Sequence, residues 1–112
     1  MEKTKIEVFT SPTCPYCPSA LKLAKDFEKE NEDVFVNELN IALPEGRRKA
    51  QQFEIYSVPT IFIKGPKHDE ILAIRGNPSR ERLRELIEIS QGKKEIKEGK
   101  SFLQKIKEKW QN

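Results

Sequence analysis

The decisive stretch of this sequence is "TSPTCPYCPS" at residues 10–19, which places two cysteines three positions apart among three prolines. It follows "KIEVFT" (5–10), a short run rich in β-branched and aromatic residues that predicts a strand. It precedes residues 17–31, where apolar residues recur at helical spacing. Cys14 and Cys17 are therefore predicted to lie where a first strand ends and a first helix begins.

The rest of the chain repeats this alternation of strand and helix. Turn residues at 65–69 separate two apolar runs, which predicts an antiparallel hairpin. Asn77 is expected to cap the last helix, with Pro78 at its first position. The predicted order is β-α-β-α-β-β-α, an α/β fold with a four-stranded mixed sheet flanked by helices. After the first helix the predicted elements are a strand at 33–41, a helix at 44–54, strands at 58–64 and 70–75, and a helix that begins near 78.

The C-terminal end differs in composition from the rest of the chain. Residues 93–112 contain seven lysines and three glutamates, which leaves the preceding body near neutral. Four apolar residues recur there at helical spacing, so we predict that residues 92–112 form a basic amphipathic helical extension beyond a domain at 1–91. The four apolar positions are Ile96, Leu103, Ile106 and Trp110.

Composition restricts the class of protein and its partners. The chain has 112 residues, of which 36% are hydrophobic and 35% charged, as expected of one soluble domain. Its N-terminus, "MEKTKIEVFT", lacks the apolar stretch of a signal peptide or a membrane span. We therefore expect a cytoplasmic monomer that binds neither nucleic acid nor membrane. In a reducing compartment the two cysteines are not expected to form a structural disulfide.

The position of the cysteines predicts redox chemistry. The positive end of a helix dipole favours a thiolate, so Cys14, the outer residue, is expected to have a lowered pKa and to act as the nucleophile. Cys17 lies one turn further in and can resolve a mixed disulfide. A zinc site is disfavoured because the sequence offers no other cysteine and a single histidine, His68. The remaining alternative is a pair of inert buried thiols. We expect no metal and no other cofactor.

Several motifs resemble the thioredoxin superfamily over residues 4–91. "CPYC" at 14–17 is similar to the active site of glutaredoxins, whereas "ELNI" (38–41), "SVPTIFIKG" (57–65) and "RGNPSRERLRELI" (75–87) are closer to thioredoxins. This combination resembles the small, glutaredoxin-like thioredoxins of archaea. The resemblance implies a thioredoxin fold and a thiol-disulfide oxidoreductase.

The resemblance also implies a set of substrate-binding residues. Val58 and Pro59 match the family pair whose peptide bond is cis, so that the backbone of Val58 faces the sulfurs and pairs with substrate. Gly76 matches the glycine that allows a substrate chain to approach closely. Pro15 and Tyr16, between the cysteines, complete the expected surface.

Other family positions are occupied by different residues here. Where glutaredoxins often carry a lysine, a second glycine and an aspartate for glutathione, this chain has Pro12, Arg75 and Ser79. The buried aspartate and the lysine of thioredoxins are replaced by Val8 and Glu38. Glu38 is a candidate proton acceptor for Cys17, and the alternative is that its charge protects a sheet edge from pairing.

We therefore expect an enzyme that reduces protein disulfides by dithiol exchange through Cys14 and Cys17, with a thioredoxin-reductase-like electron donor. Two alternatives stay open. One is a glutathione-dependent glutaredoxin, and the other is a non-catalytic protein-binding module with the same fold.

Overall fold

A computed structural model describes residues 3–93, and these form a single α/β unit. The predicted order of elements is confirmed. Of the predicted helical extension at 92–112, all but the first two positions lie outside the described residues. The elements are β1 (Thr4–Thr10), α1 (Cys17–Glu30), β2 (Val34–Asn40), α2 (Pro44–Gln52), β3 (Thr60–Lys64), β4 (Leu72–Arg75) and α3 (Arg80–Ser90).

The four strands form one mixed sheet in the order β2-β1-β3-β4. β1 pairs with β2 in parallel and with β3 antiparallel, and β3 pairs antiparallel with β4. In this register Phe9 lies opposite Thr60, which in turn lies opposite Arg75. The ends of β1, β2 and β4 and the start of β3 therefore meet at one end of the sheet, which we call the redox end because it carries both cysteines.

Each face of the sheet is covered by a separate apolar cluster. Alternate residues of a strand point to opposite faces, so Ile6 and Val8 face α1 and α3, whereas Phe9 faces α2. On the α2 face the Phe62 ring packs edge-to-face against both Phe9 and Phe53, with centroids 5.1 and 5.3 Å apart. None of the helices within residues 3–93 is long and apolar enough to cross a membrane.

β2 is an edge strand, and a helix side chain blocks part of its free edge. The Val36 N–H donates to Oε2 of Glu28, which reaches over from α1, at 2.9 Å. An unpaired N–H on an edge strand would otherwise offer a template for pairing with another chain. The Glu28 carboxylate therefore satisfies this donor within the molecule.

The N-terminus of α3 corrects one prediction. Ser79, and not Asn77, is the N-cap: its Oγ accepts a hydrogen bond from the Arg82 N–H at 3.0 Å, and the helix begins at Arg80. An N-cap side chain must lie two or three residues before a free backbone N–H, and Ser79 meets this requirement. The expected helix start at Pro78 is therefore wrong by two residues.

Candidate functional site

The two cysteines are bonded to each other at the junction of β1 and α1. Cys17 is the first residue of α1 and is only 3% exposed, whereas Cys14 lies in the preceding loop and is partly exposed. Their Cα atoms are 5.5 Å apart, and the sulfurs form a disulfide. A turn places Cys14, since its N–H donates to the carbonyl of Ser11 at 3.2 Å. An incoming thiol or disulfide can therefore reach Cys14 far more easily than Cys17.

The local electrostatics of α1 favour a negative charge at these sulfurs. The backbone N–H groups of a first helical turn have no intrahelical acceptor and carry a partial positive charge. The first turn of α1 contains no acidic side chain that would oppose a thiolate, and Tyr16 at the N-cap makes no side-chain hydrogen bond to it. The backbone N–H groups at this end of α1 can therefore stabilise a thiolate formed when the disulfide is reduced.

The loop that leads into β3 lies beside the cysteine loop at the redox end. The Val58–Pro59 peptide bond is cis, as the resemblance implies. The Pro59 carbonyl accepts a hydrogen bond from the Gly76 N–H at 2.8 Å, and Thr60 Oγ1 donates to the Ser57 carbonyl at 2.8 Å. The first bond holds the cis-proline segment, defined as residues 57–60, against the end of β4, and the second stabilises the turn within the segment.

Gly76 meets both conditions that the resemblance sets for it. Its φ is +87°, in the region where L-residues with a side chain are strained. No heavy atom lies within 4 Å of the position that a Cβ would occupy, so the space above Gly76 is open. The structure thus brings Val58, Pro59 and Gly76 together at the redox end.

Exposed aromatic and aliphatic side chains surround this end of the sheet. Tyr16, between the cysteines, is 62% exposed, and Pro15 beside it is also exposed. Tyr56 (88% exposed) precedes the cis-proline segment, and Leu43 (58% exposed) follows the end of β2. Sequence reasoning missed Tyr56 and Leu43. The available signal was their position in the chain, because Leu43 follows one predicted strand and Tyr56 precedes another at the redox end.

Glu38 is exposed, but its carboxylate has a buried partner. Val8 and Glu38 lie opposite each other in the β1–β2 register, on the face that α1 covers. Oε2 of Glu38 accepts a hydrogen bond from Oγ1 of Thr10, 2.8 Å away, and Thr10 is only 4% exposed. Thr10 is the last residue of β1, immediately before the cysteine loop, and sequence reasoning missed it. The pair places a carboxylate on the same side of the sheet as Cys17.

The side chains that could bind a metal are dispersed. Among residues 3–93 no group of three or more His, Cys, Asp or Glu side chains is arranged to hold a metal ion. His68 lies in the β3–β4 hairpin at the opposite end of the sheet, where its ring Nδ1 contacts the backbone of Glu70.

Comparisons with known proteins agree with this geometry. A family model described as Glutaredoxin matches residues 6–68. The chain is 40% identical over 88 residues to a thioredoxin of Methanocaldococcus jannaschii, covering 78% of this chain and 95% of that protein. It is 42% identical over 83 residues to a Methanothermobacter thermautotrophicus protein named "Probable Thioredoxin", covering 73% of this chain and 89% of the relative.

Solved structures show the same fold at low sequence identity. Chloroplastic thioredoxin z aligns with a TM-score of 0.65 at 20% identity and covers 76% of this chain and 75% of its own. Mitochondrial thioredoxin 3 of Saccharomyces cerevisiae aligns with a TM-score of 0.62 at 17% identity and covers 79% of each chain. The expected thioredoxin fold is confirmed.

Proposed function

Because this chain belongs to the glutaredoxin family within the thioredoxin superfamily, and is a thiol-disulfide oxidoreductase, we propose that it reduces protein disulfides through Cys14 and Cys17. The observation that carries this proposal is the unequal exposure of two bonded cysteines. Cys14 is partly exposed and Cys17 is almost fully buried. This difference supports Cys14 as the residue that attacks substrate and Cys17 as the residue that resolves the mixed disulfide.

The reaction proceeds in two exchange steps. The Cys14 thiolate attacks one sulfur of the substrate disulfide, a new S–S bond forms, and the other substrate sulfur leaves as a thiolate. Cys17 loses its proton and attacks Cys14 Sγ, which releases the second substrate sulfur as a thiolate and closes the Cys14–Cys17 disulfide. Both released thiolates are protonated to thiols. The substrate gains two electrons and the protein dithiol loses two.

We assign the proton of Cys17 to the Glu38 carboxylate. Support comes from the position of Glu38 on the α1 face and from the 2.8 Å hydrogen bond that Thr10 donates to it. This bond restrains the carboxylate on the face of the sheet that α1, the helix of Cys17, covers. Protection of the β2 edge does not require such a bond, and Glu28 already caps the Val36 N–H there.

Substrate binds along the cis-proline segment in this proposal. The backbone of Val58 pairs with the substrate chain like an added strand, and the open space at Gly76 admits its backbone. Pro15, Tyr16 and Pro59 contact the residues on either side of the substrate disulfide. In this proposal the catalytic unit is the domain at 1–91, which acts as a cytoplasmic monomer.

A reductase of the thioredoxin-reductase type is the proposed electron donor. Binding the two carboxylates of glutathione needs convergent cations and N–H groups. Two of the positions that would supply the family's glutathione contacts are Pro12 and Ser79, and the Ser79 hydroxyl already caps α3. The names of the archaeal relatives also favour thioredoxin-like electron transfer.

Substitution of each cysteine tests the mechanism. Cys14→Ser is expected to abolish reduction of a protein disulfide, because Cys17 is buried. Cys17→Ser is expected to accumulate a mixed disulfide between Cys14 and substrate, seen as a mass increase that a thiol reductant reverses. If the native protein reduces no disulfide in this assay, the alternative of a non-catalytic binding module would be supported instead. Faster alkylation of Cys17 than of Cys14 in the reduced protein would reverse the assigned roles.

The donor is tested separately. The oxidised protein is mixed either with millimolar glutathione or with NADPH and a thioredoxin reductase, preferably from the same source. The free thiols of the protein itself, Cys14 and Cys17, are counted over time. We expect the reductase to be the faster donor. Rapid, saturable reduction by glutathione, with turnover of glutathionylated substrates, would instead establish a glutaredoxin.

A further inference from the structure

A pocket of about 150 Å³ lies on the α2 face of the sheet, away from the cysteines. Lys5, near the start of β1, and Lys64, at the end of β3, both line it, so it extends to the end of the sheet opposite the redox end. In β1, Lys5 precedes Phe9 by a distance of roughly 13 Å along the strand. We call this cavity the lysine pocket.

The lysine pocket exists because α2 is shorter than the strand it covers. A helix of nine residues spans roughly 13 Å, whereas a strand of seven residues such as β1 spans roughly 23 Å. α2 follows the end of β2, so it begins at the redox end and covers that part of the face. Its last turn, with Lys49 and Gln52, borders the pocket.

Part of the pocket is lined by apolar side chains. Phe53, Phe62 and Ile71 line it, and all three are buried members of the apolar cluster on the α2 face. The two phenylalanine rings pack edge-to-face, with centroids 5.3 Å apart. A cavity of roughly 150 Å³ with apolar walls is large enough for a benzene ring. An aromatic ring therefore suits the volume and the apolar walls of the pocket.

The charged side chains of the pocket are mostly cationic. Within residues 3–93 it is lined by three lysines and a single carboxylate. Oε2 of Glu7 accepts a hydrogen bond from Lys49 Nζ at 2.9 Å and lies 3.6 Å from Lys5 Nζ. Lys64 Nζ donates to a neutral group, the His68 carbonyl, at 2.6 Å. An ammonium group has three N–H donors, so Lys64 can bind an anion as well.

A purely structural role does not account for Lys5 and Lys64. They lie directly opposite each other in the antiparallel β1–β3 pairing, so both side chains point to the same face. Like charges in this position destabilise a sheet. Lysines often protect an edge strand from pairing, but β1 and β3 are the two central strands. An anion bound between the two ammonium groups would offset their repulsion.

We propose that the lysine pocket binds a small aromatic carboxylate. The ring packs against Phe53 and Phe62, and the carboxylate binds the ammonium groups of Lys5 and Lys64. A monoanion is favoured over a phosphate monoester, because the Glu7 carboxylate, only 12% exposed, lies in the same pocket and repels a second negative charge. The inference is independent of the redox chemistry.

Titration of the full-length protein with sodium benzoate tests the proposal. The protein is labelled with ¹⁵N, and its amide chemical shifts are followed at neutral pH and constant ionic strength. We expect saturable shifts around Lys5, Lys64 and Ile71. Acetate, which lacks the ring, and benzyl alcohol, which lacks the charge, should each bind about tenfold more weakly or worse.

Two lysine variants test the role of charge. Lys5→Gln and Lys64→Gln should each weaken benzoate binding about tenfold, the expected loss for one charge-assisted hydrogen bond. Lys25→Gln is the matched control, since Lys25 is exposed on α1 and lies outside the pocket, and it should bind benzoate like the native protein. The amide spectrum of each variant reports whether it is folded. If one of the two pocket variants does not fold, the other decides.

Several results would overturn the assignment. These are the absence of saturable benzoate shifts in the native protein, equal binding of acetate, tighter binding of phenyl phosphate, and unchanged benzoate binding in the folded Lys5→Gln and Lys64→Gln variants. The proposed function is tested separately by reduction of bis(2-hydroxyethyl) disulfide, which the native protein and both variants should perform at equal rates with or without benzoate. Failure of the native protein to reduce this disulfide would count against the proposed function and leave the lysine pocket unaffected.

Discussion

At the scale of single residues, the redox end depends on side chains and backbone angles that have few substitutes. The hydroxyl of Thr10, the carboxylate of Glu38 and the missing side chain of Gly76 each meet a local requirement there. Of these three residues, Gly76 is constrained by its own backbone conformation, whereas Glu38 is constrained by its hydrogen bond with Thr10. We therefore expect substitution of Gly76 to change stability and substitution of Glu38 to change a reaction rate.

Gly76 is expected to be needed for its backbone angle and not for lack of room. Gly76→Ala should lower the free energy of unfolding by about 1 to 2 kcal/mol, because an L-residue at φ +87° is strained although nothing lies near its Cβ. Gly76→Asn should cost less, since asparagine tolerates this region better. Urea unfolding measures both. An alanine variant as stable as the native protein would contradict this explanation.

Glu38 is expected to affect the second exchange step and not the first. Glu38→Gln should slow the resolution of a Cys14 mixed disulfide by about 10²-fold, the usual size of a general-base effect, and leave the alkylation rate of Cys14 unchanged. Thr10→Val should have a smaller effect in the same direction, and Thr10→Ser should not. Glu32→Gln, an exposed position at the other end of the sheet, is the control. Equal slowing of both steps would indicate a structural role.

At the scale of elements, close approaches between helices and strands fix how α2 and α3 sit on the sheet. In α2, a Cβ added to Gly46 would lie 2.1 Å from the carbonyl oxygen of Asn40, so the helix can contact the end of β2 only through glycine. In α3, Arg80 pairs with Glu30 of α1 and lies over the Phe27 ring, 4.5 Å from its centroid. The two contacts of Arg80 attach the start of α3 to α1.

The N-cap of α3 can be tested by two alanine variants. Ser79→Ala should reduce stability by about 1 kcal/mol, because the Arg82 N–H loses its acceptor. Asn77→Ala, two residues earlier, should change stability by no more than about 0.5 kcal/mol, as is usual for exposed residues without such a bond. Chemical denaturation of the two variants side by side gives the comparison. A larger loss for Asn77→Ala would restore the cap expected from the sequence alone.

In the whole molecule, the residues assigned to the redox reaction lie at one end of the sheet. The cysteines, the cis-proline segment and Gly76 lie at one end, together with exposed Tyr16, Leu43 and Tyr56. The opposite end carries the charged β3–β4 hairpin, with Lys64 Nζ bonded to the His68 carbonyl. Exposed apolar side chains around a partly exposed cysteine suit a polypeptide substrate better than a small charged thiol.

Removal of residues 94–112 is expected to leave disulfide reduction intact. Both apolar clusters and every residue assigned to the reaction lie within residues 3–93. The shortened protein should fold and reduce the same protein disulfide at the rate of the full chain, as measured by a turbidity or thiol-release assay. A shortened protein that folds and no longer reduces disulfides would place the extension in the active site.

Local sequence patterns were sufficient to predict the order of elements, the location of Cys14 and Cys17, and the class of chemistry. These features depend on local periodicity and on residue types that are adjacent in the chain, so no contact between distant segments is needed to infer them. The cap at Ser79 was within reach of the same reasoning, and Asn77 competed with it because both residue types cap helices well.

Contacts between residues that are distant in the chain depend on the register of the strands in the folded sheet. Thr10 reaches Glu38 and Gly76 binds Pro59 because the β1–β2 and β3–β4 pairings place them side by side. A shift of one residue in any pairing would turn these side chains to the opposite face without changing the hydrophobic pattern of either strand alone. Register is set by packing of the whole sheet against its helices, and for that reason the partners of Glu38 and Gly76 could not be predicted from the sequence.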